Sequence, residues 1–223
     1  IYRVIYSDRP LSGRQDIFHI PLNKRHLVGT QRYSIAGLPC LYLGSSLYVC
    51  WQEMNKPDFN KLYLSHFKLN NETSYGQIEI LDFAYSLETL RKILLEVYID
   101  DDENKLAKEK AYLAMWPILL ASSFIKKELN SNFTVEYVIP NLILQWIGKE
   151  KRPVSGIRYF STKTPQLRHS DIGINYVFPP SSIDIGMSNF CKKLSEIFVF
   201  SKPTSWQLLD TINQKIIDTV NIP

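Results

Sequence analysis

Arg32, Tyr42 and Glu53 stand within the single stretch Gln31–Glu53, and their types suit a charged, flat ligand. An arginine offers a rigid fork of N–H donors to phosphate or carboxylate oxygens. A tyrosine can stack on a base or a pyridinium ring. A carboxylate can accept from ribose hydroxyls and stabilise positive charge growing at an anomeric carbon. Arg3, near the start of the chain, adds a second cation, and Ser161 adds a hydroxyl able to hold an amide or a phosphate. Together the five suit cleavage of an N-glycosidic bond in a charged dinucleotide. The same residues admit a plainer account, in which Arg32 and Glu53 form a structural ion pair and Tyr42 is a core residue with its hydroxyl satisfied. Lys24-Arg25-His26 is likewise either a solvated turn or an anchor for a phosphate. No Gly-x-Gly-x-x-Gly, lysine-ended P-loop or Gly-x-Ser-x-Gly elbow competes with this set.

The elements that must position these groups follow from periodicity. Ile1–Ile5 alternates and predicts a strand carrying Arg3. Turn residues fill 7–14, Phe18–Pro21 reads as a short extended piece, and Gly37 with Pro39 marks a turn before the apolar run Leu38–Leu43. Ser46 caps a predicted helix whose apolar stripe is Leu47, Cys50, Trp51 and Met54, with Glu53 beside its edge. Strands are predicted over Leu62–Leu69, Gln77–Phe83, Thr134–Val138, Gly156–Ser161 and Asn175–Phe178. Helices are predicted from Ser86, with Leu87, Leu90, Leu94 and Val97 inward, over Lys105–Asn130 with a bend at Pro117, and after Pro140 with Ile143, Trp146 and Ile147. Two more helices are predicted in the tail, at Phe190–Phe198 and from Thr204, with Trp206, Leu209, Ile212 and Ile216 packing onto the core. The acidic run Asp100–Glu103 reads as a solvated loop or as charge at a helix start.

Composition sets the frame. The 223 residues, 45% hydrophobic and 22% charged, fit one globular domain that buries its core without disulfides or metals. A net charge of +4 suits an anionic small ligand but is too weak for a nucleic-acid footprint. Cys40, Cys50 and Cys191 form no Cys-x-x-Cys pair and read as small buried hydrophobes in a reducing, cytoplasmic setting. His66 has no second histidine at ligand spacing, so no metal is expected. The apolar region Ala111–Ile125 is shorter than the roughly 20 residues of a bilayer span and reads as a buried helix, with no membrane segment. The chain opens on Ile1, which suggests a piece of a longer protein or a trimmed one.

Motif detail adds a resemblance. Arg32-Tyr-Ser-Ile-Ala-Gly37-Leu-Pro-Cys-Leu-Tyr42-Leu resembles the Gly-Arg-Phe/Trp-Asn-x-x-Gly-x-Pro-x-Leu-Tyr-Leu block of the RES domain family, named for an arginine, a glutamate and a serine. Ser46–Glu53 is similar to that family's next helix, ending on the glutamate. Gly156–Ser161 is similar to the strand carrying the serine, Ile1–Val4 to the opening strand and Asn175–Phe178 to the closing one. Gln31 stands where the family has glycine, and Ser34 where it has asparagine. The resemblance implies an ADP-ribosyltransferase-like mixed α/β (α+β) fold of small sheets and surrounding helices. Its core would be 1–59 and 134–180, with a mostly helical insertion at 60–133 and a helical tail at 181–223. It implies a toxin that cleaves the nicotinamide–ribose bond of NAD by phosphorolysis or hydrolysis, with inorganic phosphate as a co-substrate in the first case and an antitoxin protein as partner. Arg32 would bind the phosphates or ribose, Tyr42 would flank the nicotinamide ribose, Glu53 would stabilise the ribosyl cation or orient the nucleophile, and Ser161 would complete the pocket. Arg3 would be a further anion contact. The alternatives are ADP-ribosyl transfer to a protein, and a nucleotide-binding module without turnover. Oligomeric state stays open.

Overall fold

The structure, a computed structural model, describes residues 1–72, 78–84, 103–128, 133–149, 154–167, 170–181, 184, 186 and 188–209. Its frame is an 8-stranded sheet in the order β4-β5-β6-β2-β1-β3-β7, with β8 paired to β3. The strands are β1 (Tyr2–Tyr6), β2 (Leu41–Gly44), β3 (Leu62–Leu69), β4 (Glu79–Asp82), β5 (Val154–Phe160), β6 (Ile174–Phe178), β7 (Phe198–Phe200) and β8 (Thr204–Ser205). Among the described residues only β4 and β5 run parallel, and the other strand pairs are antiparallel. With helices packed on this sheet, the expected mixed α+β class is observed. The stretch 60–133 supplies β3 and β4 to the sheet as well as a long helix.

Alternation along each strand sorts the core onto two faces. Leu41, Leu43, Phe67 and Phe178 point to one face, where Phe18 and the helix α5 (Lys192–Ile197) cover them through Leu194 and Ile197. Cys40, Ile157, Tyr159 and Val177 point to the other, under Tyr33 and the helix α4 (Val138–Ile147) through Leu144 and Ile147. Register aligns the second set: Ile157 pairs Val177, Tyr159 pairs Asn175, and Tyr42 pairs Val177 from the other side. Asn175 and Tyr42 therefore share a face with Tyr159, and Ser161 follows Tyr159 by one pleat. The cysteines Cys40, Cys50 and Cys191 are free thiols and buried, as expected of small hydrophobes.

Several elements differ from the periodicity. Arg14–Ile17 forms a short helix, α1, starting at the last residue of the expected loop, with the Asp16 carboxylate accepting from the Gly13 amide at 3.0 Å. Thr134–Val138, predicted as a strand, is a 3-10 turn at Val135–Tyr137 running into α4. Its β-branched residues carry no ladder partner here. In the tail, α5 stops at Ile197 and the aromatic Phe198–Phe200 pairs with β3 as β7, where a single helix was expected. Thr204–Ser205 is β8 before the chain turns helical at 206–209. The helix predicted from Ser86, Asp100–Asp102 of the acidic run, and Ile212 and Ile216 lie outside the described residues.

The largest correction concerns α3 (Glu103–Ser123), which contains Pro117 and ends before the expected Asn130. Its apolar second half is exposed, with Leu113 at 69%, Trp116 at 47% and Leu120 at 47%. The reason is placement: among the described residues α3 packs chiefly on α4 and the 3-10 turn before it, and an apolar helix covered mainly from one side leaves its other sides open. No described helix is long and apolar enough to cross a membrane.

Candidate functional site

The site begins with the turn Gln31–Ser34. The Gln31 amide donates to the Ser34 carbonyl at 2.8 Å and the Ser34 amide returns to Gln31 at 3.2 Å, so Arg32 and Tyr33 sit at the corners and turn inward. Gln31 thus contributes its backbone, while Ser34 is buried and its Oγ accepts from the Tyr42 hydroxyl at 2.9 Å. Gly37, at φ +80, lets the chain double back so that its amide donates to the Val28 carbonyl at 2.9 Å.

The helix α2 (Leu47–Glu53) then carries the carboxylate. Ser46 caps it, accepting from the Val49 amide at 3.1 Å and donating to the Ile172 carbonyl at 2.6 Å. Gly44 decides how closely it lies. A Cβ there would stand 2.5 Å from Cys50 Sγ and 2.7 Å from Val49, so only glycine lets α2 settle on β2. The buried face of α2 is Val49, Cys50 and Gln52, rotated from the predicted stripe, and Glu53 is half-buried at the helix end.

Glu53 meets β5 and β6 there. Ser161 Oγ donates to Glu53 Oε1 at 2.6 Å and Asn175 Nδ2 donates to the same oxygen at 2.6 Å. Oε2 takes no hydrogen bond from any described residue. Ser161 is itself held by the Lys163 amide, which donates to its Oγ at 3.1 Å, and by its own amide, which donates to the Gly173 carbonyl at 2.9 Å. Asn175 was not among the predicted site residues. Its signal was a polar residue opening an apolar strand next to the serine strand, which the register makes a neighbour of Tyr159.

Arg32 forms the opposite side. Its Nη1 donates to the Ser122 carbonyl at the end of α3 at 3.1 Å, and Nη2 to Thr162 Oγ1 at 3.0 Å. The guanidinium carbon lies 5.2 Å from the centre of the Tyr137 ring, a cation–π distance. Arg32 has no carboxylate within ion-pair distance among the described residues, so the expected alternative of a direct Arg32–Glu53 pair is not what the structure contains. The two groups nevertheless act on the same tyrosines. Burial first, then the Glu53 charge, raise the Tyr159 phenol well above its ordinary pKa, while Arg32 opposes them. Tyr137 responds in the same directions, with burial again the largest cause. Burial also raises Tyr42 well above the ordinary value. The phenols stay neutral, and Tyr33 packs on Tyr159 at 4.5 Å between ring centres.

Arg32, Tyr42, Glu53 and Ser161 are thus brought to one region. Arg3 takes another place. The pleat starts it on the Leu43 and Phe67 side, and its Nη1 donates to the Tyr42 carbonyl at 2.7 Å where β1 and β2 part after the Tyr2–Gly44 pair. Burial lowers its pKa to about 10, which leaves it charged, and Nε has no hydrogen-bond partner among the described residues. Arg3 braces the sheet under Tyr42. His66 stands on β3 beside Tyr2, their rings 5.1 Å apart, and among the described residues no group of three or more His, Cys, Asp or Glu could hold a metal ion. Lys24, Arg25 and His26 lie exposed in the 3-10 stretch Leu22–Leu27.

No protein-family model matches the chain. The chain is similar to a protein of Bacillus subtilis (strain 168) named "Putative toxin YopC". The two are 34% identical over 209 residues, which is 92% of this chain and 46% of that protein. The chain spans about half the length of the curated relative it matches. Likeness across nearly the whole chain covers the elements that build the site; a fold carries its chemistry only through the residues grafted on it.

Proposed function

We propose that this chain cleaves the nicotinamide–ribose bond of NAD and acts as a toxin. The observation that carries the reading is the Glu53 carboxylate, fixed through Oε1 by Ser161 and Asn175, with Oε2 accepting from no described residue, in a region where Glu53 and Arg32 act on the same neutral tyrosines. A carboxylate oriented in this way and short of one hydrogen-bond partner suits ribose hydroxyls and the cationic sugar of an oxocarbenium-like transition state. The C1′–N bond breaks and its electron pair leaves with nicotinamide, which becomes neutral. The sugar carbon is then attacked by oxygen of water, giving ADP-ribose, or of inorganic phosphate, giving ADP-ribose 1-phosphate. Arg32 faces the phosphate side, its fork steadied by the Ser122 carbonyl and Thr162, and the tyrosines offer flat apolar walls to the leaving ring. The RES-type resemblance and the toxin in the relative's name support the same reading. An antitoxin partner belongs to it, since unrestrained loss of NAD would harm the host.

The test is nicotinamide release from NAD by the purified chain, followed by chromatography with and without phosphate. Glu53→Gln removes the negative charge and keeps the shape, and its expected effect is a loss of roughly 100-fold or more in rate with little change in melting temperature. Acceleration by phosphate assigns phosphorolysis. A folded protein that releases no nicotinamide, or a Glu53→Gln variant as fast as the parent, sinks the proposal. Labelled NAD that marks a protein band would redirect it to ADP-ribosyl transfer.

A further inference from the structure

Two residues past Glu53 the backbone does something unusual. Asn55 and Lys56 are both left-handed, at φ 63 and φ 56, and neither is glycine. Asparagine tolerates this region; a lysine there is strained. The turn is tied internally by the Asn55 amide to the Gln52 carbonyl at 3.0 Å and the Lys56 amide to the Trp51 carbonyl at 3.1 Å. Trp51 Nε1 adds a bond to the Pro57 carbonyl at 2.9 Å. Among the described residues the external tie is one side chain. Lys163 Nζ donates to the Glu53 carbonyl at 2.5 Å and to Asn55 Oδ1 at 2.8 Å. An ammonium at this place also faces the carbonyl end of α2, where the helix dipole favours a cation.

Lys163 is linked to the site twice. Its amide donates to Ser161 Oγ, the same oxygen that donates to the Glu53 carboxylate. Its ammonium holds the backbone from which that carboxylate projects. One residue thus sets both the donor and the base of the side chain it orients. We propose that Lys163 is a positioning residue for Glu53, clamping the left-handed turn at Asn55–Lys56 so that the carboxylate keeps its angle to Ser161 and Asn175. The proposal rests on the NAD-cleaving reading for its kinetic consequence. Its structural consequence stands apart from that reading.

The test therefore has two readouts. The kinetic one compares Lys163→Met and Lys163→Arg with the parent on NAD. Loss of the clamp misorients a group that acts in the transition state, so kcat for Lys163→Met falls about ten-fold while KM stays within about two-fold, and Lys163→Arg recovers most of the loss. Adding Asn55→Gly to Lys163→Met returns part of kcat, because glycine enters the left-handed region without help. The second readout is amide hydrogen exchange in the parent and Lys163→Met. Exchange at Asn55 and Lys56 rises roughly ten-fold while β5 and β6 keep their protection. A kcat within two-fold of the parent, a KM rise with kcat kept, or exchange at the turn unchanged overturns the proposal; a KM rise would mean that Lys163 touches substrate. If the parent releases no nicotinamide, the NAD reading falls, and the exchange result alone decides whether Lys163 is the clamp.

Discussion

The carboxylate side and the arginine side of the site are built in different ways. Glu53, Ser161 and Asn175 sit on elements whose places are fixed by the sheet: β5 and β6 by their ladder, and α2 by the bare Gly44 beneath it. Arg32 leans on the Ser122 carbonyl of α3 and on the Tyr137 ring, as well as on Thr162 just past β5, and α3 packs on α4. One side inherits the rigidity of a packed core. The other depends on a helix whose apolar residues stand largely in the open. Under the proposed function this difference is useful, since a group that stabilises charge at one bond needs fixed geometry, whereas an arginine that binds phosphate tolerates adjustment because electrostatic attraction falls slowly with distance.

The largest effect expected from this contrast is in the sheet core. Phe178 is 1% exposed and meets the Phe198 ring edge-on at 4.8 Å, on the strand that also carries Asn175. Phe178→Ala should cost about 4 kcal/mol in urea unfolding, the usual range for emptying an aromatic site. A cost below about 1 kcal/mol would mean that this side is no better fixed than the other. Next comes acid. His19 lies buried on the same side of the sheet, its Nδ1 donating to the Ile20 carbonyl at 2.7 Å and its Nε2 accepting from the Cys191 amide at 2.9 Å. Burial lowers its pKa to about 4, from an ordinary 6.5. The unfolded chain therefore binds the proton first. The His19 contribution is complete above pH 6.5 and is lost as pH falls towards 4, a drop of roughly 3 kcal/mol. Urea unfolding between pH 7 and 4 measures it, and His19→Phe should flatten that slope.

The same contrast explains what could be read in the sequence. Leu62–Leu69 was legible from its alternating residues and Gly156–Ser161 from its short apolar run, and both are strands of the sheet. Arg32, Tyr42, Glu53 and Ser161 were legible as a group because they occur in blocks of recognisable order. Asn175 and Lys163 were not, since their meaning comes from register and from a turn, and both arise between segments more than 100 residues apart. Arg3 was read as a strand-borne cation and a further anion contact, not as a brace, because the parting of β1 from β2 has no sequence signal. Apolarity misled at α3, where the pattern says that a surface should be covered but not by what. It misled again at Thr134–Val138, where β-branched residues met no strand edge and closed a 3-10 turn.

The smallest effect should fall on α3, and it tests the contrast from its other side. Leu113 projects 69% of its surface, so Leu113→Gln removes little buried apolar area and sacrifices no packing. Glutamine is also a good helix former, so α3 should not weaken from propensity. The expected change in unfolding free energy is within about 0.5 kcal/mol, as for other exposed positions. Activity on NAD should stay near the parent, because Arg32 takes the Ser122 carbonyl and no side chain of α3. A destabilisation above about 1 kcal/mol would show that this face is covered in the folded protein. The two sides of the site would then be equally well anchored, and the idea that the arginine side is the more adjustable one would have to be given up.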